Sequence, residues 1–301
     1  MADPISPIQP DWTLYRTFLA VLREGSLSGA ARQLALTQPT VGRHIEALEA
    51  ALQIALFSRS PSGLVPTEAA LALRQYAEEL DATTAALSRA ATRLGEGVRG
   101  TVRISVSEMI GVEVLPPMLA QLRAQWPELV LEIMLNNRVE DLLRRDADIA
   151  VRGVRPQQDA LVAQFIGTIN IGLHATPDYL ARHGAPQSWD ELGRHGLIGF
   201  DSETPFIREV QSRIGGLRRE RMALRADSDV MQLAATRAGF GVGVCQVGLA
   251  RRYGLVQVMA DQFNWPMDTW LAMHGDLRNH RACRVVFDAL VTGLRDYANA
   301  A

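Results

Sequence analysis

Apolar residues recur at helical spacing close to the start of the chain. After Asp11, the residues Leu14, Phe18, Val21 and Leu22 fall at i, i+4, i+7 and i+8, which predicts one amphipathic helix ending near Gly25. Ser26 suits the N-cap of a second helix with Ala30, Ala31 and Leu34 inside, side chains short enough to let two helix backbones approach. Thr37 caps a third helix, with Pro39 in its first turn where a missing N–H costs little, and Val41, Ile45, Leu48 and Leu52 form its apolar face. At about 100° per residue, Pro39, Arg43, Glu46 and Ala50 point the other way, with Gly42 on their flank. "LFSRSPSGLVPTEAA", Leu56 to Ala70, then reads as a strand, a turn and a return strand, a small wing. Two helices on a short turn, the second buried on one face and polar and arginine-bearing on the other, suit a DNA major groove. A plain three-helix bundle with a solvated outer face is the competing reading.

After Thr67 the pattern changes to a heptad: Leu73, Ala77, Leu80, Thr84, Leu87, Ala91 and Leu94 alternate spacings of 4 and 3, which predicts a long helix with a dimerising seam. Gly95, Gly97 and Gly100 end it in a joint. The alternative is a single helix lying on its own domain.

From Thr101 onward strands and helices take turns. "TVRISV", "LVLEIML", "DADIAVRG", "INIGLHA", "GLIGF", "RMALRA" and "GVGVCQ" read as strands, and "LPPMLAQLRAQW", "VEDLLRR", "PDYLARHG" and "DVMQLAATRAG" as helices. Such alternation predicts parallel sheets flanked by helices, and about 200 residues suits two lobes with a cleft between them. Ligands of open α/β sheets sit beyond the carboxyl ends of strands. That rule singles out Ser107-Glu108, Asn136-Asn137, Arg152-Gly153, Ala175-Thr176, Phe200-Asp201, Ser228-Asp229 and Gln246, of which Ser107, Asn136, Arg152, Thr176, Phe200, Ser228 and Gln246 are the ligand-binding candidates. Ser107 and Thr176 precede helices, where a hydroxyl and free backbone N–H groups favour an anion, and Arg152 adds a guanidinium. A small carboxylate is the expected guest; a cap or a solvated loop residue is the plainer reading at each single position.

Composition narrows the chemistry. The 301 residues, 48% hydrophobic, suffice for two or more domains. All 31 basic residues are arginine, so lysine-dependent phosphate loops and Schiff bases are excluded. Net charge is −2, and residues 1–66 hold five arginines against five acids, so DNA binding must rest on a local surface and on more than one copy. Cys245 and Cys283 have no metal-ligand spacing and form no disulfide framework, which fits a reducing cytoplasm. No apolar run nears the roughly 20 residues that span a bilayer, and no export signal stands at the N-terminus. "AGFGVG", Ala238 to Gly243, runs from a helix into a strand, the reverse of a dinucleotide fingerprint. Neither GxSxG nor HExxH occurs, and the histidines are scattered. No catalytic set, metal or cofactor is therefore expected.

Residues 12 to 70 resemble the winged helix-turn-helix of LysR-type transcriptional regulators. The resemblance is carried by "FLAVLREGSLSGAARQLALTQPTVGRHIEALE" and the wing, with Ser26, Ala30-Ala31, Leu34, Gln38-Pro39, Ile45, Leu48-Glu49 and Leu56-Phe57-Arg59 in the family's spacing. It implies that Gln38, Pro39, Thr40 and Arg43 lie at the groove, and Arg59, Ser60 and Ser62 at the backbone or minor groove. Ser26, Ser28 and Gly42 complete the expected DNA-binding set. Gly42 stands where the family often has serine, Ala70 where glycine is common, and the wing tip lacks a minor-groove arginine. The fold class that follows is an N-terminal winged helix-turn-helix with a linker helix, then a C-terminal two-lobed α/β effector domain like the periplasmic binding proteins. The expected boundaries are 1–66, 67–97 and 98–301, with one lobe at about 101–167 and 276–298 and the other at about 168–275. The implied function is a cytoplasmic, non-enzymatic bacterial regulator whose partners are a double-stranded DNA operator, a small-molecule effector and its own copies as homodimer or homotetramer, with RNA polymerase a candidate further partner. A redox-responsive regulator and an enzyme fused to a DNA-binding module are the alternatives.

Overall fold

The computed structural model describes residues 10–60, 63–93, 97–137, 147–156, 160–204, 207–209 and 218–300. They divide into two compact units, the division falling between Ser88 and Arg89.

The first unit is helical. It runs α1 (Trp12–Glu24), α2 (Leu27–Leu34), α3 (Gln38–Leu52), the hairpin of β1 (Phe57–Ser60) and β2 (Gly63–Pro66), and α4 (Glu68–Thr92), which continues past the division. Each of the first three helices opens on a side-chain cap: Asp11 accepts from Thr13 N at 2.7 Å, Ser26 from Gly29 N at 3.1 Å and Thr37 from Thr40 N at 3.4 Å. Each closes on a left-handed residue, Gly25, Ala35 and Gln53. Phe18, Val21, Ala30, Ala31, Val41, Ile45, Leu48 and Leu56 are buried together, with Leu14, Leu22, Leu34 and Leu52 half-buried against them. Ala70 also lies in this core, fully buried.

The heptad expectation needs a correction at its start. Ala77 is 3% exposed within this same core, so it is used inside one chain and offers no seam to another, and Leu73 is half-buried against that core. Leu80, Leu87 and Ala91 are exposed; Leu94 lies outside the described residues. The reason is that α4 must first cover α1–α3, and that demand uses the flank of the heptad face nearest the module.

The second unit is α/β. Strand β3 (Gly100–Val106) leads to α5 (Glu108–Glu113) and α6 (Leu115–Gln125), followed by β4 (Leu129–Leu135) and β5 (Ile149–Arg152). Strand β3 pairs with both β4 and β5 in parallel, the arrangement the alternating pattern predicts. The expected helix "VEDLLRR" lies outside the described residues. The sheet then departs from expectation. Strand β6 (Leu161–Ala175) and β11 (Trp265–His274) are long, antiparallel to each other, and carry the sheet from one lobe into the next in the order β10-β6-β11-β5-β3-β4. A bulge between Thr269 and Trp270 marks the bend, with Trp270–Met273 pairing to β5. In the second lobe β9 (Gly243–Gln246) and β10 (Val256–Val258) are also antiparallel to β6. Beside them stand the parallel pair β7 (Leu197–Gly199) and β8 (Met222–Arg225), with α7 (Pro177–His183), α8 (Trp189–Leu192), α9 (Asp229–Arg237) and α10 (Val247–Arg252). The terminal helix α11 (Arg281–Ala300) returns to the first lobe, where Cys283, Val286, Phe287, Leu290 and Leu294 pack under Val102, Ile104 and Val106. A smaller core of Leu173, Tyr179, Leu192, Leu197, Val242 and Phe263 fills the second lobe.

Candidate nucleic-acid interface and interlobe cleft

Helix α3 presents two faces because its residues obey a 3.6 period. Val41, Ile45 and Leu48 are buried, while Gln38, Pro39 and Arg43 are exposed and Thr40 and Gly42 lie half-buried beside them. Thr40 is held by Thr37 Oγ1 at 2.8 Å, and Arg43 Nη2 reaches Thr40 Oγ1 at 3.5 Å, so the polar groups of the first turns form one connected row. Ser28 is exposed at the start of α2, and Ser26 is committed as its cap. A Cβ on Gly42 would meet only Leu27 Cδ1 at 3.8 Å, an ordinary contact. The wing is anchored to this unit through backbone. Leu64 N donates to Gly25 O at 3.2 Å, and a Cβ on Gly63 would lie 3.0 Å from that same oxygen. Arg59 and Ser60 sit on β1 paired with Leu64 and Gly63; Ser62 lies outside the described residues.

One residue of this interface carries a role that its spacing does not announce. Glu49 Oε1 accepts from Leu56 N at 2.6 Å and Phe57 N at 3.2 Å, so the end of α3 sets where the wing begins. His44 Nδ1 likewise meets Thr17 Oγ1 at 2.9 Å and ties α3 to α1.

In the second unit the predicted cleft residues divide. Ser107 precedes α5 with no side-chain cap bond, and Asn136 N donates to Val106 O at 2.8 Å, so the ends of β3 and β4 lie together. Arg152 ends β5, 6% exposed, and donates to Ser105 Oγ at 2.7 Å and Val151 O at 2.9 Å. It pairs with Trp270, beside the bulge between the lobes. From the second lobe Ser228 caps α9 and donates to Glu108 Oε1 at 2.9 Å. Asn137 accepts from Glu108 N at 2.9 Å and donates to Asp229 Oδ2 at 3.4 Å. Loss of water on burial, then the charge of Glu108, push the Asp229 carboxyl up to about 6. Phe200 is half-buried just beyond β7.

Thr176 does not join this group. Strand β6 runs opposite to β9, so its carboxyl end lies where β9 begins, away from the ends of β7, β8 and β9. Thr176 Oγ1 is spent capping α7, accepting from Tyr179 N at 3.2 Å. It lies near Gly239, past the far end of α9 from Ser228. Gln246 is buried with Oε1 accepting from Tyr297 Oη at 2.5 Å, turned toward α11.

A buried cluster in the same unit was invisible to local spacing. Asp148 Oδ2 accepts from Arg93 Nη1 at 2.8 Å, Arg103 N at 2.9 Å and Arg89 Nε at 3.3 Å. The end of α4 is thereby clamped to the start of β5. Burial pushes the thiol of Cys245 up to about 12 and that of Cys283 up to about 11. No group of three metal-ligating side chains occurs among the described residues, and no helix among them is long and apolar enough to cross a membrane.

Comparison with known proteins places both units. Residues 12–71 match the family model described as bacterial regulatory helix-turn-helix protein, lysR family, and residues 95–295 match the LysR substrate binding domain. The chain is 32% identical over 184 residues to an HTH-type transcriptional regulator of Xanthomonas campestris, covering 61% of this chain and 53% of that one. It is 29% identical over 183 residues to the HTH-type transcriptional regulator CrgA of Neisseria meningitidis, 61% of each chain. These alignments thus span between about half and two thirds of the relatives' lengths. The full-length structure of the Vibrio cholerae virulence activator AphB has the same fold, with a TM-score of 0.61 at 22% identity over 94% of this chain and 99% of that one. So has CbnR, a LysR family transcriptional regulator, with a TM-score of 0.65 at 19% identity over 96% and 99%.

Proposed function

The chain belongs to the LysR family of bacterial regulatory helix-turn-helix proteins, and from that premise we propose that it is a cytoplasmic, non-enzymatic transcriptional regulator that binds operator DNA as a dimer or higher assembly and responds to a small anionic effector. The observation that carries the DNA reading is the outer face of α3, where Gln38, Pro39 and Arg43 are exposed opposite the buried Val41, Ile45 and Leu48. An arginine there donates bidentately to a guanine edge, a contact worth about 1–3 kcal/mol. Arg43→Ala is expected to weaken binding to DNA selected from a random pool by roughly tenfold to a hundredfold and to leave the circular dichroism spectrum unchanged. Retention of full affinity at moderate salt would remove Arg43 from the groove.

The effector reading rests on the ends of β3, β4 and β5, with Ser107, Asn136 and Arg152, joined from the second lobe by Ser228 through Glu108, with Phe200 following β7. Thr176 and Gln246 are left out of it for the geometric reasons above. A guanidinium grips a carboxylate bidentately where lysine would not. Small carboxylates screened by calorimetry are expected to bind wild type and to lose roughly tenfold or more with Arg152→Ala. Hits confined to neutral or cationic molecules would end the anion reading. The redox alternative is disfavoured by the two buried thiols, since the thiolate is the reactive form and burial suppresses it. RNA polymerase stays a candidate partner with no surface to argue from.

A further inference from the structure

Arg252 and Tyr253 bond Glu113 and Tyr297 bonds Gln246 across the lobes of the second unit, and two further hydrogen bonds cross where α5 meets α9, using four side chains between them. Glu108 at the start of α5 accepts from Ser228, and Asn137 after β4 holds both Glu108 N and the Asp229 carboxylate at the start of α9. Two carboxylates are thus brought to one rim, each bound to the opposite lobe by a neutral group. From α5 the charged group facing Asp229 is Glu108; the end of β4 contributes the neutral Asn137 and α9 itself Ser228. An ionised pair resists this approach, whereas one protonated partner removes the repulsion and keeps the hydrogen bonds.

We propose that Glu108, Asn137, Ser228 and Asp229 form a proton-operated latch between the lobes, tied when Asp229 is protonated and loosened when it ionises. The latch needs no effector, so it stands or falls apart from the effector reading. Its sign follows from linkage. With the cleft tied, the Asp229 carboxyl lies near 6; released into water it returns to its ordinary 3.8. The tied state therefore holds more protons between those values, and it gains as pH falls through 6. Those two values give a gain of about tenfold in the ratio of tied to open between pH 7.5 and pH 5.

The test uses the full chain carrying Gln121→Cys on α6 and Ala181→Cys on α7, both exposed, with one dye on each lobe. Cys245 and Cys283 are buried and do not compete for label. Labelled chain is diluted into excess unlabelled chain so that energy transfer reports one molecule. Transfer is expected to rise on acidification with a midpoint between the open value of 3.8 and the tied value of about 6, and Asp229→Asn is expected to give high transfer at both pH values. Glu108→Gln keeps an acceptor for Ser228 and removes the opposing charge, so its midpoint is expected below that of wild type; it decides the matter if Asp229→Asn does not fold. Transfer that is independent of pH in wild type, an Asp229→Asn response equal to wild type, or an unmoved midpoint in Glu108→Gln would each overturn the latch.

Discussion

Gly42 and Gly29 stand on neighbouring helices of the first unit, and their surroundings give opposite expectations for the same substitution. Gly42 lies inside α3, where a Cβ would make only an ordinary contact with Leu27 Cδ1 at 3.8 Å, so it carries the entropic cost of glycine in a helix with no steric reason for it. Gly42→Ala is expected to stabilise the unit by about 0.5–1 kcal/mol, read as a higher denaturant midpoint. A Cβ at Gly29 would lie 2.8 Å from Glu24 Oε2 and 2.9 Å from Ser26 Oγ, the atom that caps α2. Gly29→Ala is therefore expected to lower the midpoint, and equal shifts in the two variants would mean that these contacts do not decide stability. At this scale the sequence was a good guide wherever one residue's role depends on near neighbours. The caps at Ser26 and Thr37 and the exposure of Arg43 follow from helical period and from side chains three residues away, whereas the Asp11 cap of α1 was not read from the sequence. Glu49 was harder, because its task is to receive backbone N–H groups seven and eight residues on, across a chain reversal.

Elements were legible where one helix or one parallel strand stands alone, and less so where its neighbours decide. The pattern marks "INIGLHA" as a strand, yet the strand begins at Leu161, and its direction is set by pairing with β11, β9 and β10. That direction removes Thr176 from the cleft, and no alternation of apolar residues encodes it. Helix α4 shows the same limit. Its heptad is real, but Ala77 is claimed by the core of its own unit and Leu73 is half-buried against that core, leaving Tyr76, Leu80, Leu87 and Ala91 as the exposed stripe. At its other end, Arg89 and Arg93 meet Asp148 across separations of 59 and 55 residues. Strand β5 begins next to that clamp and ends on Arg152, so one short strand joins the end of α4 to the proposed effector residue. If Arg152 holds the effector as proposed, that ligand would act on the strand bound to the end of α4, through its differential affinity for two states.

At the scale of the whole molecule the electrostatics bear on assembly. Residues 1–66 carry five arginines and five acids, a formal charge of zero, so in the proposed DNA-binding mode a single copy would gain little from the phosphate backbone and depend on a few groove contacts. Specific affinity of the usual strength then calls for two modules on one DNA. The exposed stripe of α4, with Leu80 at 44% and Leu87 at 71% exposure, offers an apolar surface through which a second copy would supply the other module. Linking two weak contacts makes the second intramolecular, which raises affinity by about 10²–10⁴ when the spacing permits both. Wild type is accordingly expected to bind DNA with two half-sites at least about a hundredfold more tightly than DNA with one. Leu80→Asp places an unpaired charge in the seam, and it is expected to sediment as a monomer at micromolar concentration and to bind both DNAs with the weaker affinity. Equal affinity of wild type for one and two half-sites would rule out the paired mode of reading. An unchanged mass in Leu80→Asp would place the pairing surface elsewhere on the chain.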